Sequence, residues 1–213
     1  MNEHSFFERT MNDIQPITAP ALPDRGAEIL GLIRIAFAEK GFDGASMQDL
    51  ARAAGMSVGN FYRYFPSKDA IVEAMVGYDM AQMEADFAAI NTSPDPLAAI
   101  RAKIAERIGG ACHGEGPLWA EITAAAHRKP EIARICCAME DMVANNLLSV
   151  LARVTDLPAD TARARFAAQA QFVVLLVKAA AMRNGNRVDP ALNALVLACV
   201  ETTLSDILTS ARD

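Results

Sequence analysis

Apolar residues recur at helical spacing along most of the chain, and capping residues, glycines and prolines separate the periodic segments. From Asp24 onward, Ile29, Ile33 and Phe37 fall on one face of a helix that Gly41 can end. Comparable segments follow, and the pattern predicts an all-α chain of about nine helices. The predicted helices cover residues 24–40, 47–54, 57–64, 67–90, 97–109, 117–127, 130–154, 158–183 and 190–210.

Two of these helices are short and joined by a tight turn. Ser46 begins the segment S-M-Q-D, in which its hydroxyl can accept from a backbone N–H while Asp49 reaches back, as in a capping box. The turn A-G-M-S contains Gly55, and Ser57 can cap the second helix. A helix-turn-helix has this size and often has a glycine in its turn. Its predicted small core consists of Leu50, Ala51, Ala54, Met56 and Phe61.

The boundaries between elements suggest three parts. Residues 1–23 contain three prolines and no periodic apolar pattern, which predicts a flexible arm. Residues 24–70 form the predicted N-terminal three-helix, helix-turn-helix domain. Residues 71–213 form a C-terminal helical bundle, and 71–90 is the helix that connects it to the first domain.

Charge sets the helix-turn-helix apart from the rest of the chain. The whole chain of 213 residues has a net charge of −6. Between Leu50 and Lys68, however, the charged residues are Arg52, Arg63 and Lys68, with no acid. An acidic chain is unsuited to coating nucleic acid with its whole surface, but it can carry one local basic patch.

The second helix of a helix-turn-helix lies in the major groove of DNA, so its first residues are candidates for base contacts. Val58 can touch a thymine methyl, Asn60 can pair with adenine or reach a phosphate, and Gly59 permits close backbone approach. Candidate phosphate donors follow in Tyr62, Arg63 and Tyr64. Ordinary packing with the hydroxyls in water is the alternative for the tyrosines.

Lys68 lies in the first turn of the long helix, where a cation opposes the helix dipole. A phosphate bound jointly by this lysine and the backbone N–H groups would remove the conflict. Asp69 is a local counter-charge and leaves a purely structural explanation open.

The stretch G-F-D-G-A-S-M-Q-D-L-A-R-A-A-G-M-S-V-G-N-F-Y-R-Y-F-P-S-K-D-A-I (Gly41–Ile71) closely resembles the DNA-binding region of the tetracycline-repressor (TetR) family of bacterial regulators. That region typically has a Thr/Ser-capped helix, then A-G-V-S and G-x-[LF]-Y-x-[HY]-F-x-[SN]-K. The resemblance implies a homodimeric regulator, usually a repressor, that binds double-stranded operator DNA and a small-molecule effector in its C-terminal domain. The residues it places in the DNA-binding region are Gln48, Ser57, Val58, Gly59, Asn60, Tyr62, Arg63, Tyr64 and Lys68.

The last two predicted helices are apolar on two faces, so each needs partners on two sides. We expect one face to pack on the chain's own bundle and the other to form a symmetric four-helix interface with a second copy. A fully internal helix pair is the alternative. The predicted interface residues are Phe166, Val173, Val177, Leu195, Cys199 and Leu204.

A cavity between the bundle helices is the expected effector site. Large, sulfur-containing and aromatic side chains make a hydrophobic or aromatic effector the expectation, although such residues at helical spacing are usually core. The candidates are Phe87, Cys112, His113, Trp119, Met139, Met142 and Phe172.

Other classes of function have little support in the sequence. It contains no glycine-rich phosphate loop, no G-x-S-x-G and no HExxH, so we expect neither an enzyme nor a bound cofactor. A metal- or thiol-responsive regulator is the alternative, and it would use Cys112, His113, Cys136 and Cys137. The spacing of these residues matches no known set of metal ligands, so no metal site is assigned.

The expected location is the cytoplasm. Residues 1–13 have no apolar signal region, and the four cysteines lack the spacing of a disulfide framework. The apolar runs Phe172–Val177 and Ala194–Val200 are shorter than the roughly 20 residues that a membrane span needs, so no membrane contact is expected.

Overall fold

The computed structural model describes residues 25–109, 116–183 and 189–212, and within these ranges it contains nine α-helices and no strand. The predicted arm at residues 1–23 and Asp24, where the first predicted helix begins, lie outside the described residues. The helices are α1 (Gly26–Lys40), α2 (Met47–Ala53), α3 (Val58–Tyr64), α4 (Lys68–Thr92), α5 (Pro96–Ile108), α6 (Gly116–Ala126), α7 (Pro130–Thr155), α8 (Ala159–Ala181) and α9 (Pro190–Ser210). The all-α prediction is therefore confirmed.

Helix starts follow the capping residues in the sequence. The Ser46 hydroxyl accepts from the backbone N–H of Asp49 at 3.1 Å, and the Asp49 carboxylate accepts from the N–H of Ser46 at 3.0 Å. This is the predicted capping box. Pro130 and Pro190 occupy the first positions of α7 and α9, as expected, whereas Pro158 is the residue before α8.

One hydrophobic core joins the first domain to part of the second. Its largest fully buried side chains include Phe37, Phe42, Phe61 and Phe65, contributed by α1, α3 and the segments beside them. The same core contains residues of α6 and of the first turns of α7: Leu118, Ile122, Ala125, Ile132, Ile135 and Cys136. The helix-turn-helix domain therefore folds against α6 instead of forming a separate core.

A second core lies within the bundle of α5, α7, α8 and α9, together with the end of α4. Its buried residues include Ile90, Ile100, Leu151, Phe166 and Val200. α4 has 25 residues and contributes buried side chains to both cores, so it packs against both halves of the molecule.

The two faces of α8 and α9 differ in burial. Phe166, Val173 and Leu204 are buried inside the chain, so these three members of the predicted interface belong to its own core. Periodicity identified two apolar faces on each helix but could not say which one packs internally. The exposed face carries Phe172, Leu175, Leu192 and Leu195, with Cys199 exposed beside them and Val177 half-buried.

Three helices are longer and more apolar than the uninterrupted runs in the sequence suggested. By length and composition alone, α7, α8 and α9 reach the values of a membrane span, with mean hydropathies of 1.3, 1.3 and 1.5. The sequence expectation counted only runs between charged residues, whereas an apolar helix tolerates an occasional charge and still has a high mean.

Candidate nucleic-acid interface and internal cavity

The geometry of the helix-turn-helix is fixed by its turn and by the residues buried beneath it. Gly55 has a φ of +65°, a conformation that a glycine adopts without strain. The Met56 N–H donates to the Ala51 carbonyl at 2.9 Å and closes the turn. Below it, the rings of Phe61 and Phe65 lie 5.1 Å apart and are fully buried, as predicted for Phe61. These contacts leave the opposite face of α3 pointing outward.

That outward face contains most of the predicted DNA-binding residues. Tyr62 keeps 46% of its surface exposed. A side chain at Gly59 would meet no atom of the chain within 4 Å, so the glycine serves no internal packing and leaves room for an external partner. Tyr64 is only half exposed and packs on the core, which favours the packing explanation for this tyrosine. The remaining exposed members are Gln48, Ser57, Val58, Asn60 and Arg63.

Lys68 has a structural role that the sequence did not reveal. Its Nζ donates to the carbonyl oxygens of Phe42 and Asp43 at 2.8 and 3.1 Å, and lies 5.3 Å from the centre of the Phe42 ring. These acceptors already compensate the cation at the start of α4, so a phosphate is not needed to explain it. Two of the three ammonium N–H groups are engaged within the chain, and the case for a phosphate contact is correspondingly weaker.

Three acids near the helix-turn-helix are paired with cations. Asp49 contacts the Lys40 ammonium at 2.6 Å, and hydrogen bonds from Lys40 and Ser46 hold the pKa of its carboxyl well below its usual range. Two further acids are paired from the α6–α7 connection, at 2.8 Å for Asp43–Arg128 and 2.7 Å for Asp69–Lys129.

Arg52 on α2 is a further candidate for the interface. Its side chain is 81% exposed, and it lies at the limit of ion-pair distance from Asp49, at 4.0 Å. The charge count between residues 50 and 68 contained this signal, but the motif resemblance did not select Arg52. With Arg63 also exposed, the surface beside α3 presents guanidinium groups outward while its acids are paired.

Residues 29–75 match the family model described as bacterial regulatory proteins of the tetR family. Residues 29–75 therefore form a helix-turn-helix domain of this family. EthR of Mycolicibacterium smegmatis is 37% identical to it over 84 residues, which are 38% of this chain and 39% of EthR. UidR of Escherichia coli strain K12 is 31% identical over 118 residues, 53% of this chain and 57% of UidR.

The chain spans no more than about 57% of the length of these curated relatives, both named as transcriptional regulators. A solved structure of a TetR transcription regulator from Haloarcula marismortui covers more of the chain. It matches 86% of this chain and 97% of its own with a TM-score of 0.69 and 16% identity, which shows a shared fold. The predicted resemblance of this region to the DNA-binding region of tetR-family regulators is confirmed.

The bundle contains a cavity of about 170 Å³ between α4, α5, α6, α7 and α8. Three predicted effector residues line it: Phe87, Trp119 and Met139. Phe172 and Met142 do not line the cavity. Phe172 is exposed, and the Met142 sulfur accepts a hydrogen bond from the Asn146 side chain at 3.1 Å. Cys112 and His113 lie outside the described residues.

The cavity also contains residues that sequence reasoning assigned elsewhere or missed. Val173 and Val177, predicted for the dimer interface, line the cavity. Charged side chains were missed because their positions on separate helices give no sequence pattern. These are Asp86, Lys103, Arg107, Glu140 and Lys178.

The metal- or thiol-responsive alternative gains no support from the described part of the chain. There, no group of three or more His, Cys, Asp or Glu side chains could hold a metal ion. Cys136 is buried, and burial raises the pKa of its thiol, which reduces the reactive thiolate at neutral pH. Cys137 is exposed and lies next to it in sequence.

Proposed function

We propose that the chain is a dimeric repressor that binds a palindromic operator and is released by a small hydrophobic effector. The observation that carries the DNA-binding part is the outward face of α3, which presents Val58, Gly59 and Asn60 together at its first turn. In this arrangement they contact bases, while Arg63 and Arg52 contact phosphates.

The effector part is supported by the position of α6. Gly116 and Trp119 at its start line the cavity. One turn or less further on, Glu121 accepts from the backbone N–H of Phe42 at 3.1 Å. A ligand that displaces Trp119 therefore shifts a helix that is hydrogen-bonded to the turn between α1 and α2.

The connection after α6 adds a second link to the same turn. Arg128 pairs with Asp43 at 2.8 Å, and Lys129 lies 5.1 Å from the centre of the Phe42 ring. Movement of α6 would thus change the position of the helix-turn-helix relative to the bundle, and with it the spacing of two such domains in a dimer.

The dimer is supported by the exposed apolar face of α8 and α9. Leu175 and Leu195 are 61% and 65% exposed, which is unusual for large apolar side chains arranged together on neighbouring helices. A two-fold interface buries the same face of both copies. It also pairs two α3 helices, which calls for a palindromic operator.

A gel-shift titration on the DNA upstream of the chain's own gene tests the proposal. We expect a salt-dependent shift by the wild-type chain and a loss of shift by Leu195→Glu, which should sediment as a monomer. Ser149→Glu, an exposed change on α7 outside the proposed interface, is the matched control and should remain dimeric. The absence of any shift at low salt would contradict the repressor, and an unchanged dimer in Leu195→Glu would contradict the interface.

A further inference from the structure

The cavity between α4, α5, α6, α7 and α8 is lined almost entirely by apolar groups. Ile100, Leu147 and Val173 on its wall are buried in the second core, whereas Trp119 and Met139 pack on the first. The cavity therefore lies between the two cores and is bordered by both. A molecule bound there would contact hydrocarbon, ring and thioether groups, which offer it few hydrogen bonds.

Lys103, one of the charged residues at the cavity, is engaged by two carboxylates. Its ammonium contacts Asp86 on α4 at 2.9 Å and Glu106, one turn further along α5, at 3.2 Å. The hydrogen bond with Asp86 is the main cause that raises the pKa of this ammonium, and it outweighs the opposing effect of partial burial. The group therefore stays charged and paired at neutral pH, and a ligand anion would have to replace a carboxylate that is already in place.

The other charged groups of the lining are engaged as well. The Lys178 ammonium on α8 donates to the Glu140 carboxylate on α7, and Arg107 also has an interaction within the chain. Counted together with Glu106, these groups are three cations and three carboxylates, so their formal charges cancel: Lys103, Arg107, Lys178, Asp86, Glu106 and Glu140. The described residues at the cavity thus offer no surplus charge of either sign to a ligand.

We propose that the effector is an uncharged apolar molecule of single-ring size, of the class of benzene and its alkyl derivatives. An ionised head group would lose its hydration at the apolar wall and would gain no free counter-ion, which makes its transfer into the cavity unfavourable. An uncharged ring avoids that loss and contacts Trp119 and Met139, whose ring and sulfur favour aromatic neighbours. This inference rests on the effector site of the proposed function and names its ligand class.

The size of the cavity limits the ligand to about one ring. Its volume of about 170 Å³ is close to that of an engineered apolar cavity of about 150 Å³ that holds a benzene molecule. Toluene is therefore a suitable uncharged probe. Benzoate and benzylammonium carry the same ring with a negative or a positive head group, so the three compounds separate the effect of charge from that of the ring.

Trp119 provides the measurement, because it is the only tryptophan in the chain and it lines the cavity. Its fluorescence is followed at pH 7 while the full chain is titrated with each of the three compounds. We expect saturable binding of toluene. Both ions should bind at least about 100-fold more weakly, because neither finds a free counter-ion to offset its lost hydration.

The two members of one ion pair give opposite tests. Glu140→Gln releases Lys178 from its carboxylate, so benzoate should bind at least about tenfold tighter than to the wild type, while toluene changes by less than about twofold. Lys178→Met releases Glu140 and should favour benzylammonium by a similar factor. Arg134→Met, an exposed change elsewhere on α7, is the control and should leave all three affinities unchanged.

A third substitution tests the location of the ring. Val173→Phe places a larger side chain on the cavity wall and should abolish binding of toluene, with thermal unfolding used to confirm that the variant is folded. Retained toluene binding in a folded Val173→Phe variant would place the ring outside this cavity and would contradict the inference.

Other outcomes would also overturn the inference. They are wild-type binding of benzoate or benzylammonium as tight as that of toluene, no saturable change with toluene, or unchanged ion affinities in both ion-pair variants. The fluorescence titration contains no DNA, so its result is independent of the gel shift. Toluene binding without a gel shift refutes the repressor alone, and a gel shift without toluene binding refutes the ligand class alone.

Discussion

The surface beside α3 and the cavity of the bundle are built in opposite ways. The first rests on two helices of seven residues each, and its exposed guanidinium groups point away from the molecule. The second is assembled from five helices, and its lining is mostly apolar, with both lysines held in ion pairs. An outward positive surface suits a long polyanion, whereas an internal apolar cavity suits a small molecule. The two sites should therefore be separable by substitution.

The largest expected effect separates the buried face of α3 from its exposed face. Phe61→Ala removes a fully buried ring from the first core and should lower the free energy of unfolding by about 3–5 kcal/mol. Tyr62→Ala removes a ring of similar size from the neighbouring exposed position and should change it by less than about 0.5 kcal/mol. Urea denaturation followed by circular dichroism measures both. Similar losses in the two variants would show that Tyr62 also packs in the core.

A substitution on the outward face of α3 should alter which DNA sequence is preferred. Asn60 is exposed at the first turn of α3, and its amide is suited to an adenine edge. Asn60→Ala should reduce discrimination between operator variants by about 1–3 kcal/mol while the dependence of affinity on salt stays the same. Competition gel shifts with single-base operator variants check this. Equal weakening on every sequence would mean that Asn60 contacts the backbone of DNA instead.

Arg63→Ala should act on all sequences alike. If Arg63 contacts one phosphate, the slope of log affinity against log salt should decrease by about 0.9. Arg134→Ala removes an exposed arginine from α7 and serves as the control, with the wild-type slope. An unchanged slope in Arg63→Ala would remove this residue from the interface.

The smallest expected effect concerns the link between the two sites. Glu121→Gln weakens the acceptor for the Phe42 N–H, so an effector bound in the cavity should shift DNA affinity less than in the wild type, by about 0.5–2 kcal/mol of coupling. Both separate affinities should stay close to their wild-type values. Glu131→Gln, which alters an exposed ion pair with Arg134, is the matched control. Unchanged coupling in Glu121→Gln would mean that the signal passes through α4 instead.

The helices and the outward face of α3 could be predicted because the sequence patterns that indicate them are local. The capping box of Ser46 and Asp49 and the buried Phe61 each depend on residues within a few positions of one another. Lys68 could not be interpreted in this way, because the carbonyl groups it contacts belong to Phe42 and Asp43, about 25 positions earlier. The sequence correctly placed a cation at the start of α4, but a bound phosphate was an incomplete explanation of it.

The cavity was predictable only in outline for the same reason. Phe87, Trp119 and Met139 were found because large apolar side chains tend to line such cavities. The paired charges were missed, since Lys103 and Asp86 meet only when α4 and α5 pack together. Val173 was assigned to the wrong face because α8 is apolar on both sides, and periodicity alone does not rank the two.

The shared first core has a consequence for how such regulators can be recombined. Leu118 and Ile122 of α6 are buried with the side chains of the helix-turn-helix, so a cut after residue 70 separates contacting surfaces instead of two independent units. A chimera that joins this helix-turn-helix domain to a foreign bundle would expose apolar surface on both parts unless the new bundle contains a helix equivalent to α6. The unit that can be transferred is thus the helix-turn-helix domain together with α6, which are separated in the gene. Recombination at a single site would therefore not exchange the whole unit.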